Sequence, residues 1–349
     1  MNKKVTTYDI SNTLGLSRNT VSKALNNHPS ISEATKQKVL EHAVAMGYKR
    51  VTPGPAERSA STRSTKCIAY LTRIDRSTNG YWMNLMRGVE DVLRGSGYDM
   101  KMSFIQDEDI HALSAPPLLN GAIDGFVVVG MLDKAYTETL LAHSLPKVFI
   151  DLNAELPITD LKADVVLMES EESVYRLTRH LIDSGHREIG FIGDTSSRSF
   201  LERWIGYSRA LHDANIPPHP SCCITRAPSI LPQSYEGISD TLGALERLPT
   251  ALVCGNDLIA LHAIRFVKEQ GMRVPQDIAI AGFDQMKETE LLDISLTTVT
   301  NNEFQLGQRA AAELLFRIQR PNRAFEVIRL STKVIFGEST RTTAPPSEA

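Results

Sequence analysis

The stretch Leu14 to Asn26, LGLSRNTVSKALN, constrains the fold more than any other part of the chain. A short apolar helix from about Thr7 to Leu14 meets Gly15, whose missing Cβ permits the positive φ of a sharp turn. Ser17 follows, where a hydroxyl can cap a second helix. That is a helix-turn-helix. Val21 and Leu25, four residues apart, turn inward towards Ile10 and Leu14 and leave Arg18, Asn19, Ser22 and Lys23 facing out. Arg carries a fork of donors matched to guanine, Asn pairs both ways with adenine, and Lys reaches bases or phosphates. A third helix from about Ser32 to Met46, with Val39, Leu40, Ala43 and Val44 as its apolar stripe, completes a three-helix core before Gly47. A small helical bundle with a solvated polar face has the same spacing, so the pattern alone leaves both readings open.

Charge divides at the place the motifs suggest. Residues 1–66 hold eleven Lys and Arg against four acids, a formal +7, so the total of −3 leaves −10 for the rest. A basic end attracts phosphates and an acidic body repels them. The lysines near the N-terminus have no apolar segment behind them, and no apolar run approaches the roughly 18 to 20 residues needed to span a bilayer. A cytoplasmic protein without a membrane partner is expected. Cys67, Cys222, Cys223 and Cys254 have no metal-ligand spacing and read as reduced thiols.

Thr7-Tyr8-Asp9-Ile10, Gly15-Leu16-Ser17, Thr20 to Asn26, Ile31 to Thr35 and Gly47-Tyr48 together resemble the DNA-binding headpiece of the LacI/GalR family of bacterial repressors. The resemblance implies a headpiece over 1–48 that binds a double-stranded DNA operator. Its contacts would come from Thr6, Tyr8, Ser17, Arg18, Asn19, Thr20, Ser22, Lys23 and Asn26. Residues 49–66, KRVTPGPAERSASTRSTK, have linker composition. In that family a hinge helix, often Ala-Arg-Ser-Leu, orders on the operator and drives its leucine into the minor groove. The nearest match here is Arg58-Ser59-Ala60, with alanine at the wedge position, so a weaker bend is expected.

From Cys67 onward short apolar runs alternate with amphipathic segments. Strands are predicted at 67–72, 98–104, 125–130, 146–151, 188–193, 251–255 and 277–284, and helices near 82–95, 133–143, 170–184, 199–214, 235–246, 257–270 and 303–318. Such alternation predicts an α/β fold with parallel sheets covered on both faces, and more than 270 residues suit two lobes better than one. Arg87-Gly88-Val89-Glu90, Ser184 to Ile189, Val274 to Ile278, Gly282-Phe283-Asp284 and Leu296 to Val299 again resemble LacI/GalR proteins. Their effector domain has two Rossmann-like lobes of periplasmic-binding-protein type I. By that resemblance residues 67–338 bind effector and dimerise, with a first lobe of about 67–157 plus 301–318, a second of about 158–298 plus 322–338, and a flexible tail over 339–349.

Ligands of open α/β sheets bind beyond the carboxyl ends of strands. Asp151, Asn256, Asp257 and Asp284 follow predicted strands at that rim. A neutral sugar asks for Asp, Asn and Arg against its hydroxyls and an aromatic face against its C–H side. Arg203 offers the fork, and Tyr81 and Trp82 the face. By resemblance Arg203 and Asp257 fall on the usual effector positions, Asp151, Tyr81 and Trp82 are further candidates, and Asn301 and Glu303 lie where some relatives touch ligand. Each has a plainer reading: a carboxylate after a strand caps the next helix, Arg203 bridges surface acids, and Trp82 fills a core.

No phosphate loop, nucleophile elbow or helical zinc motif occurs, and His186 after Gly185 sits where an imidazole binds helix-terminal carbonyls. No catalytic residue, metal or cofactor is therefore expected. The resulting expectation is a homodimeric transcriptional repressor whose operator affinity responds to a small-molecule effector, a carbohydrate by class. A solute-binding component of a sugar transporter is the chief alternative, and an α/β enzyme with an accessory DNA-binding domain a third reading.

Overall fold

The computed structural model describes residues 6–25, 31–46, 64–73, 80–218, 220–226 and 233–341. The chain divides into two compact units, with the break between Arg63 and Ser64.

The first unit holds α1 (Thr7–Leu14), α2 (Arg18–Leu25) and α3 (Glu33–Ala45). Thr6 and Asp9 form a reciprocal capping box: the Thr6 N–H donates to Asp9 Oδ2 at 2.7 Å, and the Asp9 N–H to the Thr6 hydroxyl at 3.4 Å. Gly15 has φ 64°, the left-handed turn for which glycine was expected. Ser17 caps α2 by accepting from the Thr20 N–H at 3.0 Å. Ile10, Val21, Ala24, Val39 and Ala43 form the core, with Leu14 and Leu25 packed partly buried against it. Asn26 and residues 49–63, which include Arg58 to Ala60, lie outside the described residues.

The second unit begins with β1 (Cys67–Arg73), α4 (Gly80–Gly95), β2 (Asp99–Ile105), α5 (Asp107–His111), β3 (Gly125–Val129), α6 (Lys134–Ala142), β4 (Lys147–Ile150) and β5 (Asp164–Met168). It continues with α7 (Glu171–Asp183), β6 (Ile189–Ile192), α8 (Arg198–Asp213), β7 (Cys223–Ile224), α9 (Tyr235–Gly243), β8 (Ala251–Cys254), α10 (Asp257–Glu269) and β9 (Ala279–Ala281). Last come β10 (Thr298–Val299), α11 (Glu303–Gln319), β11 (Val327–Leu330) and β12 (Val334–Ile335). A six-stranded parallel sheet runs β11-β5-β4-β3-β1-β2, a four-stranded parallel sheet runs β7-β6-β8-β9, and β10 pairs antiparallel with β12.

The lobe boundaries expected from the sequence need correction. Residues 164–168 and 327–330, assigned above to the second lobe, are strands of the first sheet, so the chain crosses between lobes near 169, 301 and 332. No strand was expected over 164–168, DVVLM. Asp164 is nevertheless fully buried, since Arg317 Nε and Nη2 each donate to it at 2.8 Å and the Glu326 N–H adds a third bond at 2.8 Å. The tail also starts later than 339. Ser339 and Thr340 are buried, and the Ser339 hydroxyl accepts from the Thr297 N–H at 2.8 Å and donates to the Ile280 carbonyl at 2.6 Å. Ser64 to Lys66 likewise belong to this unit rather than to the linker.

In the first lobe α4 and α11 touch through glycines. A Cβ on Gly88 would lie 2.0 Å from the Phe304 carbonyl oxygen, and one on Gly307 would lie 2.1 Å from that of Leu85. Only hydrogen at both positions permits this crossing. The helix pair places Tyr81 and Trp82, at the start of α4, beside the segment that leads into α11.

Candidate functional site: a polar cluster between the lobes and an exposed recognition helix

Strand ends from both lobes bring five of the expected residues together. Arg203, near the start of α8, lies with its guanidinium carbon 3.7 Å from the Phe283 ring centroid and 4.8 Å from that of Phe200. Its Nη1 donates to the Gly255 carbonyl at 2.6 Å, and its Nη2 approaches Asp284 Oδ1 at 3.5 Å. Asn301, after β10, donates from Nδ2 to Asp284 Oδ1 at 3.0 Å and to the Tyr81 hydroxyl at 3.3 Å. Asp151 follows β4 with φ 63° and accepts from the Ser199 N–H at 3.2 Å and the Ser197 hydroxyl at 3.1 Å, which ties the first lobe to the start of α8. Tyr81 meets Trp82 edge to face at 4.9 Å. Arg203 bridges no surface acids: its only ion pair among the described residues is with Asp284, and its side chain is 6% exposed.

Two atoms of this cluster are buried without a hydrogen-bond partner, Arg203 Nε and Asn301 Oδ1. One is a donor and the other an acceptor. Unsatisfied buried polar atoms are uncommon in folded proteins, and a water, an ion or a bound hydroxyl would satisfy these two. Beside Asn301 runs an open cavity of about 720 Å³ lined by residues including Asn84, Arg87, Lys287, Thr298 and Glu303. Glu303 accepts from Asn84 Nδ2 at 3.1 Å there.

Burial raises the Asp151 carboxyl above the usual range, although amide and hydroxyl donors and Arg203 oppose the rise. Asp284 is raised by burial too, against Arg203 and Asn301. Burial also lifts the Tyr81 phenol, with the negative charge of Asp284 adding to it.

Asp257 and Asn256 are engaged by bonds within the protein. Asp257 is 0% exposed and both its oxygens are engaged, Oδ1 by the Thr298 hydroxyl at 2.7 Å and Oδ2 by the Met286 N–H at 2.8 Å. It braces the loop that carries Asp284. Asn256 caps α10 by accepting from the Ile259 N–H at 3.0 Å and donates to Gln233 at 2.8 Å. Asp284, expected at the rim but with helix capping as the plainer reading, joins the cluster through Arg203 and Asn301. It lies two residues beyond Gly282 in GFD, after a strand, and has a backbone φ of 110°.

Burial, against the Thr298 hydroxyl bond, pushes the Asp257 carboxyl up to about 7. The folded state thus holds a proton that the unfolded chain, near pKa 3.9, releases earlier. This contribution to stability is fully present below about pH 4 and is lost as pH rises through 7. Lowering the pH from 8 to 5.5 should stabilise the second unit through this group by about 2 kcal/mol. Urea denaturation at both pH values checks it: Asp257→Asn should show a smaller gain than the wild type, and an equal gain would refute the assignment.

On the first unit Arg18 and Asn19 are exposed and Ser22 and Lys23 are partly buried, along α2. Thr6 is exposed and Tyr8 is 59% exposed, on or just before α1. The hydroxyls of Ser17 and Thr20 lie 2.8 Å apart, engaged with each other. A helix-turn-helix with that outward set, on one chain with a two-lobed α/β unit, defines as a class a DNA-binding architecture joined to an α/β domain.

Comparison with known proteins agrees. Residues 6–50 match the bacterial regulatory proteins of the lacI family, and residues 178–340 match the periplasmic binding protein-like domain. The ribose operon repressor of Haemophilus influenzae is 30% identical over 333 residues, 95% of this chain and 97% of its own length. The transcriptional repressor PurR of Aliivibrio salmonicida is 30% identical over 340 residues, covering 95% of this chain and 97% of its own. Among solved structures, the regulator CelR in complex with cellobiose superposes with a TM-score of 0.69 at 21% identity, over 96% of this chain and 100% of that one. A LacI family regulator from Enterococcus faecium with bound ribose gives 0.64 at 25% identity, over 78% and 98%. The chain belongs to the lacI family of bacterial regulatory proteins and is a DNA-binding transcriptional regulator. Among the described residues no helix is long and apolar enough to cross a membrane.

Proposed function

We propose that this regulator is a cytoplasmic repressor that binds a pseudo-palindromic operator as a homodimer and releases or gains affinity when a sugar or sugar derivative enters the cluster between its lobes. The reading assigns it no catalytic step. The observation that carries it is the pair of unpartnered buried atoms, Arg203 Nε and Asn301 Oδ1, within one cluster. A hydroxyl both donates and accepts, so a polyol answers both needs. Arg203, Asp284, Asn301, Tyr81 and Asp151 are the proposed effector contacts, with Trp82 supporting Tyr81. Asp257 and Asn256 are proposed to hold the surrounding loops. Arg18, Asn19, Ser22 and Lys23 are proposed to enter the major groove, and Thr6, Tyr8, Ser17 and Thr20 to meet the DNA around them. Ligand can shift DNA affinity only through different affinity for the two lobe arrangements, and the coupling is reciprocal.

The test is a fluorescence anisotropy titration of the full chain on promoter DNA beside its own gene, at fixed salt, repeated with a panel that includes ribose and cellobiose. Salt is fixed because phosphate contacts make affinity steeply dependent on it. Sequence-specific binding that one sugar changes is the expected result. Lys23→Ala should lower specific affinity by about 1–3 kcal/mol without moving the unfolding of the second unit. Specific binding indifferent to every sugar overturns the carbohydrate class. Failure to bind any DNA specifically overturns the DNA-contact assignments.

A further inference from the structure

The three residues that open the second unit lie at its surface. Ser64, Thr65 and Lys66 are all exposed, yet one carboxylate holds all three. Asp124 Oδ1 accepts from the Thr65 N–H and hydroxyl, both at 2.8 Å. Its Oδ2 accepts from the Lys66 N–H at 3.0 Å and from the Ser64 hydroxyl. Lys66 has φ 55°, uncommon for a residue with a side chain, and two successive N–H groups, those of Thr65 and Lys66, meet this one carboxylate. The strands extend the grip: the Asp99 N–H donates to the Lys66 carbonyl at 2.7 Å, and the Asp124 N–H to the Cys67 carbonyl at 2.8 Å. The Lys66 ammonium lies 4.2 Å from the Tyr98 ring centroid. Partial burial opposes ionisation of Asp124, but the four donors outweigh it and hold the carboxyl below its usual range.

Ordering exposed backbone costs conformational entropy, and here the polar bonds to Asp124 and the strand ends, with the Lys66–Tyr98 contact, offset it. The bonds sit at the amino end of β3, which pairs with β1 at the centre of the first sheet. Asp151, a proposed effector contact, follows β4 at the carboxyl end of the same sheet. One rigid sheet thus joins the proposed effector end to the point where the chain leaves for the helix-turn-helix.

We propose that Asp124 is a positioning residue for DNA binding: it fixes where the chain departs from the second unit and so sets the separation of operator half-sites that a dimer accepts. This rests on the DNA-binding reading above. Releasing residues 64–66 would add three residues to the tether, up to about 10 Å of reach per protomer. A base-pair step is about 3.4 Å, so the slack spans roughly three base pairs.

The experiment uses the full chain and duplexes that the wild type selects from a random-sequence pool, each also made with one, two or three base pairs inserted at its centre. Wild-type affinity should fall about tenfold or more across the insertions, because fixed half-site spacing is a geometric demand of a two-fold dimer. Asp124→Ala should bind all members of the series within about threefold of one another, while its affinity for a single half-site stays that of the wild type. A folded Asp124→Ala protein with the wild-type spacing profile overturns the proposal alone. If that variant does not fold, the double variant Ser64→Ala, Thr65→Val removes two donors and leaves Asp124 in place: a flattened profile supports the proposal and a wild-type profile overturns it. A wild-type chain that selects no duplex overturns the DNA-binding reading itself, and this inference with it.

Discussion

Gly88→Ala is expected to lower the stability of the second unit by about 3 kcal/mol, a fall of roughly 6–12 °C in its melting temperature. The new methyl would meet the Phe304 carbonyl oxygen at 2.0 Å, its carbon at 2.9 Å and the Gln308 nitrogen at 3.1 Å. All three are backbone atoms of α11, so no side-chain rotation relieves the contact and the helices must part. Parting them also draws Tyr81, at the start of α4, away from Asn301, which now lies 3.3 Å from its hydroxyl. Calorimetry checks the first effect and a sugar titration the second. An unchanged melting temperature would mean that the two helices can separate at little cost, against the close crossing described above.

Arg203→Ala should cost more, about 3–5 kcal/mol, because it strips a buried carboxylate of its cation. Asp284 would keep only Asn301, and the Gly255 carbonyl would lose its donor at 2.6 Å. Loss of stability alone does not establish a role in ligand binding. The double variant Arg203→Met, Asp284→Asn separates the two: replacing both charges should restore most of the stability while effector response stays absent. Urea denaturation and the anisotropy titration read the two quantities independently. A double variant that still responds to a sugar would remove Arg203 and Asp284 from the effector contacts.

The helices and most of the strands were legible in the sequence because periodicity and caps report local structure. Thr7–Leu14 is α1 to the residue, and the seven long helices of the second unit lie within a few residues of their expected places. Strands whose partners lie far along the chain were harder to see. Asp164 reads as a break until Arg317, contributed by a helix 153 residues later, neutralises it. Val327–Leu330 was hidden for the related reason that it is an edge strand with a charged residue in the middle, Arg329, which reaches Glu202 of the other lobe at 2.6 Å. Ser339 and Thr340 looked like tail because small polar residues are buried only when distant backbone receives them.

The site was legible in outline, and the surroundings of each candidate were not. Four polar residues after three strands were visible, but which of them faces the cleft depends on how each strand end turns. Asp257, in a helix's first turn, points under the loop, whereas Asp284, two residues past Gly282 and at positive φ, is turned towards Arg203. Sequence spacing does not encode that difference in turn.

The place of β11 at the rim of the first sheet bears on how a ribosome delivers this molecule. Every other strand of that sheet emerges before Glu171, but the strand that covers β5 is translated only after the whole of the second lobe's large sheet. Until then a nascent chain presents Asp164–Met168 as an open hydrogen-bonding edge, fully apolar but for an acid still waiting for its arginine. Such an edge invites pairing with another chain. Premature termination between Met168 and Val327 should therefore yield aggregated fragments rather than a soluble first lobe, as sedimentation of such truncations would show.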